Sequence, residues 1–138
     1  MITNLKLNKV YYVPKQLEPG ILYFSKEFGI AAHLCPCGCG NKVVAPIAPT
    51  DWSLTVKRGK PTLYPSIGNW QIPCRSHYWV TDGKIVWSYQ WTEDQIQDGR
   101  KHEEFQRKSY YENLERNRKE KSVFIQILNL FFKKGKRK

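Results

Sequence analysis

The sequence predicts an α+β fold that is mostly β, a small antiparallel sheet or barrel followed by a C-terminal helix or helices. Two observations carry that expectation. As far as Trp91 the chain is a series of short runs rich in β-branched and aromatic residues, separated by Gly, Pro and Asp, the pattern of strands joined by tight connections. From Thr92 onward the pattern changes to Thr92-Glu93-Asp94-Gln95, followed by a long charged stretch without proline. A third observation, the placement of the cysteines, decides what holds the sheet together.

In chain order, the predicted strands are Lys9 to Val13, Ile21 to Ser25, Ile30 to Leu34, Lys42 to Ala45, Ser53 to Lys57, Thr62 to Tyr64, His77 to Thr81 and Lys84 to Ser88. Arg58-Gly59-Lys60 and Asp82-Gly83 supply turns. Asp-Gly is the stronger of the two, because a two-residue hairpin turn needs positive φ at both central positions. Tyr78, Val80, Ile85 and Trp87 alternate about it, as a half-buried hairpin requires. Thr92 with Gln95 three residues later is a capping-box signature, and Glu93 and Asp94 suit the positive end of a helix.

Beyond this start the chain divides by character. Lys101 to Lys121 is crowded with charge and carries only Phe105, Tyr110, Tyr111 and Leu114 as large apolar or aromatic groups, so it predicts a solvated helix. Val123 to Phe132 is apolar on most sides if helical, and Lys133 to Lys138 is a basic tail. The expected organisation is therefore a β-rich, zinc-binding domain over residues 1–100 and an extension over 101–138. The apolar helix either closes over the domain's own core or docks a partner or a membrane surface. No apolar run approaches the ~20 residues that span a bilayer, and the first residues lack the features of a signal peptide, so a cytoplasmic location is expected.

The 138 residues carry 23 Lys and Arg against 12 Asp and Glu, a formal net charge of +11. That balance favours acidic partners, and nucleic acid is among them. Its distribution argues against one dedicated basic face. From Glu93 on, thirteen basic and eight acidic residues give +5, and the first ninety-two residues hold the remaining +6.

All four cysteines fall in His33-Leu34-Cys35-Pro36-Cys37-Gly38-Cys39-Gly40 and Pro73-Cys74-Arg75-Ser76-His77, which also hold two of the three histidines. Three cysteines alternating within five residues cannot form an ordinary set of disulfides, whereas thiolates and imidazoles are the ligands of tetrahedral zinc. Zn2+ is the expected cofactor, and the sheet is then zinc-stapled. Two ligand schemes compete. In one, Cys35, Cys37, Cys39 and Cys74 close a four-thiolate site and leave His33 and His77 free for chemistry. In the other, two or three of the clustered cysteines join Cys74 and His77, leaving a thiol or an open position for water. Ser66, between Pro65 and a Gly-containing turn, is a candidate nucleophile near His77 in sequence, although a serine in such a loop is commonly a turn former.

The order His33-x-Cys35-Pro36-Cys37-Gly38-Cys39-Gly40, Pro49-Thr50-Asp51-Trp52, Leu63-Tyr64-Pro65-Ser66-Ile67-Gly68-Asn69-Trp70 and Cys74-x-Ser76-His77-Tyr78-Trp79-Val80 resembles the bacterial and phage family called domain of unknown function 6527, over roughly Val10 to Gly99. Members are often labelled ammonia monooxygenase, a label at odds with so small a chain that has no His-rich copper site. The resemblance implies a metal-binding protein whose relatives neighbour bacterial ubiquitin-like proteins and their conjugation enzymes. In that setting the expected activity is a hydrolase, a peptidase that processes or deconjugates a ubiquitin-like protein. Ser66, His77 and His33 are then the candidate catalytic residues, and Cys35, Cys37, Cys39, Cys74 and His77 the candidate metal ligands. The alternative is a non-catalytic zinc module that binds protein partners or nucleic acid.

Overall fold

The computed structural model describes the backbone of residues 1–136 and side-chain environments through residue 132. The chain forms two compact units, Met1–Ile96 and Gln97–Lys138. The first contains eight strands: β1 (Lys6–Lys9), β2 (Ile21–Ser25), β3 (Ile30–Leu34), β4 (Lys42–Pro46), β5 (Ser53–Lys57), β6 (Lys60–Gly68), β7 (His77–Thr81) and β8 (Lys84–Trp87). They make two open four-stranded sheets, ordered β1-β2-β3-β4 and β5-β6-β7-β8, and not a closed barrel. Every pairing is antiparallel except β1 with β2, which is parallel from Lys6↔Ile21 to Lys9↔Phe24.

The two sheets share one core. Leu22, Ala31 and Val43 from the first meet Leu63, Ile67, Tyr78 and Val80 from the second, with Leu5 and Cys35 completing the cluster. Alternation along β4, with Val43 and Ala45 buried and Lys42, Val44 and Pro46 exposed, is the pleat's period of two. The N-terminal segment ties the sheets together. Leu5 N–H donates to Gly83 O at 2.7 Å and Ile85 N–H to Thr3 O at 2.9 Å, immediately before the chain enters β1 in the other sheet.

Both short hairpins use the turns expected of them. Arg58 and Gly59 have φ of 53° and 75°, and Asp82 and Gly83 have 49° and 77°, the all-positive pattern of a type I′ turn. At the far end of the unit, Thr92 N–H donates to Gln95 Oε1 at 2.9 Å and Gln95 N–H returns to Thr92 Oγ1 at 3.2 Å. This reciprocal box starts α1 (Glu93–Lys136), and Ile96 in its first turn is buried.

Besides one-residue shifts at the ends of β4 and β8 and the parallel pairing of β1 with β2 in an otherwise antiparallel arrangement, four larger details differ from the sequence expectation. The first strand lies at Lys6–Lys9 rather than Lys9–Val13, because the buried anchor is Leu5 and the aromatic pair Tyr11 and Tyr12 is exposed, packing on Phe28. The strand expected at Thr62 to Tyr64 runs the full nine residues of β6. The barrel alternative gives way to two sheets bridged by the N-terminal segment. The charged and apolar helices are one continuous α1, since Glu93 to Lys136 contains no proline to break the hydrogen-bond ladder. The end of the expected basic tail lies outside the described residues.

Candidate active site and cysteine cluster

Two polar clusters occupy the first unit, and the connection between β6 and β7 serves both. That connection is folded on itself: Asn69 N–H donates to Ser76 O at 2.8 Å and Arg75 N–H to Ile72 O at 3.0 Å. Arg75, with φ of 47°, occupies the left-handed region that lets the chain reverse next to Cys74.

The first cluster is the cysteines. The turn after β3 is closed by Gly38 N–H on Cys35 O at 3.2 Å and by Cys35 N–H on Asn41 O at 2.8 Å. Gly38 and Gly40 have φ of 91° and 83°, which a side chain would resist. This geometry turns Cys35, Cys37 and Cys39 toward Cys74, and the four sulfurs lie within 4.8 Å of one another. Cys35 Sγ is 3.4 Å from Cys37 Sγ and 3.8 Å from Cys74 Sγ, and Cys39 Sγ is 3.8 Å from Cys74 Sγ. A tetrahedral ion with metal–sulfur bonds near 2.3 Å sets its sulfurs about 3.8 Å apart. The donor set and these distances therefore suit such a metal.

The electrostatics agree with that fit. Burial pushes the Cys35 thiol up to about 12, so a Cys35 thiolate in this place needs a cation to offset its lost hydration. Cys39 is drawn down to about 6, chiefly by the hydrogen bond from the Asn41 backbone N–H and further by the Asn41 side-chain amide. Ser76 lies within the cluster, its hydroxyl donating to Cys74 Sγ at 3.2 Å and facing Cys35 Sγ at 3.5 Å.

The second cluster is Ser66 with His77. Between the pairs Leu63↔Val80 and Ile67↔Tyr78 the register of β6 against β7 shifts, so that Tyr64, Pro65 and Ser66 stand opposite Trp79 alone. Bulges of this kind re-aim a side chain. The Ser66 hydroxyl sits 2.9 Å from His77 Nε2. On the other side of the ring, His77 Nδ1 lies 2.7 Å from the carbonyl oxygen of Tyr89. A carbonyl can only accept, so Nδ1 carries the proton and Nε2 presents its lone pair to the Ser66 hydroxyl.

Two indoles hold the imidazole in place. Trp70 and Trp91 stack at 5.7 Å and 22°, and both meet the His77 ring edge-on, at 5.0 and 5.3 Å between centroids. Gly68 makes this packing available. A Cβ at Gly68 would lie 2.5 Å from the Trp70 ring, closer than any side chain tolerates.

His33 makes its contact with neither Ser66 nor the sulfurs but with Tyr78. It is fully buried, its Nε2 is 2.6 Å from the Tyr78 hydroxyl, and its Nδ1 has no hydrogen-bond partner among the described residues. Burial draws its pKa down to about 4, so it is a neutral imidazole. Asn69 Nδ2 reaches the same Tyr78 oxygen at 3.5 Å, and burial raises the Tyr78 phenol far above its ordinary value. Of the sequence candidates, the structure thus groups Cys35, Cys37, Cys39 and Cys74 in one place and Ser66 with His77 in another. Both His77 ring nitrogens are engaged by Ser66 and the Tyr89 carbonyl, and the metal-type group contains the four cysteines without His77. The Tyr89 carbonyl, the Trp70–Trp91 clamp and the Tyr78–Asn69 contact had no sequence signal beyond the abundance of aromatic residues.

Among known proteins, a family model described as "Bacterial ubiquitination-like system serine protease (BubE)" matches residues 9–88. This span contains Ser66, His77 and all four cysteines. No curated protein and no solved structure matches. The family model carries a different name from domain of unknown function 6527 and agrees with that resemblance on a bacterial ubiquitin-like setting. With more than half of its length matched, and with a serine hydrogen-bonded to a histidine inside the matched span, the chain belongs to the BubE family of bacterial ubiquitination-like system serine proteases.

Proposed function

We propose that the protein is a serine peptidase that cleaves the chain following the C-terminal tail of a bacterial ubiquitin-like protein, either to mature it or to release it from a conjugate. The observation that carries this is the linear arrangement Ser66 Oγ, His77 Nε2, His77 Nδ1, Tyr89 O, at 2.9 and 2.7 Å. Ser66 is the nucleophile and His77 the general base. The Tyr89 carbonyl acts as the positioning group that a carboxylate provides in a Ser-His-Asp triad, holding the tautomer and orientation of the ring.

In the first half-reaction the Ser66 oxygen bonds to the scissile carbonyl carbon while its proton passes to His77 Nε2. Collapse of the tetrahedral intermediate breaks the C–N bond, and Nε2–H delivers its proton to the leaving amine. Water then repeats the sequence on the acyl-enzyme, giving its proton to His77 and releasing the carboxylate with Ser66 restored. Each histidine proton gained is returned within the same half-reaction, so the cycle closes.

Cys35, Cys37, Cys39 and Cys74 are proposed to hold Zn2+ as a closed four-thiolate site. The chemistry that ion supplies when bound is structural, fastening the turn after β3 to the β6–β7 connection that leads into His77. Four sulfur ligands would complete a tetrahedral ion, which leaves His77 for proton transfer.

The test compares wild type, Ser66→Ala and His77→Ala at matched zinc content on a ubiquitin-like protein with a C-terminal extension. A fluorophosphonate probe is expected to label wild type at Ser66, and both variants should lose about 10⁴-fold or more in kcat while keeping metal and fold. If Ser66→Ala retains activity and His77→Ala loses activity together with zinc, the open-metal scheme replaces this one. A wild-type chain that cleaves no such substrate but binds a conjugation enzyme or nucleic acid tightly would instead be a non-catalytic zinc module.

A further inference from the structure

The helical unit poses a question that the peptidase reading leaves untouched. Val123, Phe124, Ile125, Ile127, Leu128, Leu130, Phe131 and Phe132 are all exposed on α1, from 39% for Leu128 to 78% for Phe131. At 3.6 residues per turn these eight positions sweep an arc of about 220°. The remaining narrow face is polar, formed by Arg118, Lys119, Ser122, Gln126 and Asn129.

Three features select what covers such a surface. A helix that seats in a protein groove needs an apolar stripe read at i, i+3, i+4 and i+7, and an arc of about 220° is about twice the width of such a stripe. A lipid surface, by contrast, accepts a wide apolar face while the narrow polar face stays in water. The apolar stretch is ten residues, about 15 Å of helix against a hydrocarbon core of about 30 Å. Accordingly, no helix among the described residues is long and apolar enough to cross a membrane. Charge supplies the last feature. No acidic residue follows Glu120, whereas Lys121, Lys133, Lys134, Lys136, Arg137 and Lys138 flank the apolar stretch, the complement of an anionic headgroup layer.

We infer that the helical segment 122–132 is a membrane-surface helix that lies in the plane of a bilayer bearing anionic phospholipid headgroups. The apolar face enters the acyl boundary and the basic residues on either side pair with headgroups. The catalytic unit would thereby act on substrates at a membrane surface.

The experiment is co-sedimentation of the full chain with vesicles of phosphatidylcholine alone and of phosphatidylcholine with phosphatidylserine at about seven to three. Binding is expected on the mixed vesicles, about tenfold or more weaker on the neutral ones, and reduced by salt. The double substitution Phe124→Ala with Phe131→Ala keeps good helix formers and should lower binding about tenfold, while Asn129→Ser should leave it unchanged. Zinc content and peptidase activity of these variants in solution should match wild type, which separates this inference from the assignment of Ser66 and His77. Equal binding to both vesicle types, or no binding to either, would overturn it. So would a concentration-dependent increase in solution mass that the double substitution abolishes, since the face would then belong to a second copy of the chain.

Discussion

The cysteine cluster and the Ser66–His77 pair share the β6–β7 connection but are stabilised in opposite ways. The four sulfurs accept hydrogen bonds from Cys39 N–H, Asn41, Asn69 and Ser76, but burial opposes the charged form of Cys35, so a full set of thiolates there would call for a cation. Ser66 and His77 are satisfied within the protein, by each other and by the Tyr89 carbonyl. A cation held by the sulfurs would bear on the stability of the sheet, whereas the self-satisfied pair is free to exchange protons without disturbing it. The physical lesson is that proximity along the chain does not merge the two roles: Cys74 and His77 are three residues apart and face different partners.

The sharpest break of this comparison is Cys35→Ser. A buried hydroxyl in place of the Cys35 thiol would remove one of the four proposed ligands, and structural zinc binding contributes on the order of 10 kcal/mol to small zinc domains, comparable to the whole stability of a folded domain. The expected outcome is loss of zinc and of the cooperative thermal transition, read by metal analysis and circular dichroism, and a strong chelator should reproduce it on wild type. Retention of a cooperative melt in the zinc-free variant would show that the sheets stand without the cluster.

Gly68→Ala gives a smaller effect on the other side. The added methyl meets the Trp70 ring, so the indole must move off His77, with a stability loss of about 1–3 kcal/mol from overpacking. Peptidase turnover should fall while zinc content stays at the wild-type level. A variant that loses metal but keeps its turnover would reverse the assignment of the two clusters.

The smallest expected change is Thr92→Ala. Removing the cap hydroxyl that accepts from Gln95 N–H should cost about 1 kcal/mol, visible as a lower melting temperature. Because Trp91 immediately precedes this cap and packs on His77, a turnover loss of a few-fold would show that the start of α1 also steadies the imidazole. Unchanged turnover would confine the cap to stability.

What the sequence by itself determined is the chemistry of neighbouring residues. Ile21–Ser25, Ile30–Leu34, Ser53–Lys57 and His77–Thr81 are strands with the predicted ends, the Asp82-Gly83 turn has the expected positive φ values, and Thr92 and Gln95 form the expected box. The clustering of thiols within five residues likewise announced a metal-type donor set, because spacing along a short loop limits where those sulfurs can go. Each of these rests on propensities or steric limits acting over two to five residues.

Only the tertiary structure decided the partners. Ser66 and His77 are eleven residues apart, and their contact depends on a register shift that no local pattern encodes. Both histidines are candidate bases in the sequence, and only the fold separates them, burying His33 against Tyr78 and aiming His77 at Ser66. The atom that orients His77 is a backbone carbonyl, which every residue carries and no side chain advertises. The first strand moved to Lys6–Lys9 because Leu5 reaches across to Gly83 in the other sheet, a contact between residues 78 positions apart. Local rules assign the elements, but which atoms meet is set by how the pleats and turns bring distant segments into register, and that is a property of the packed chain.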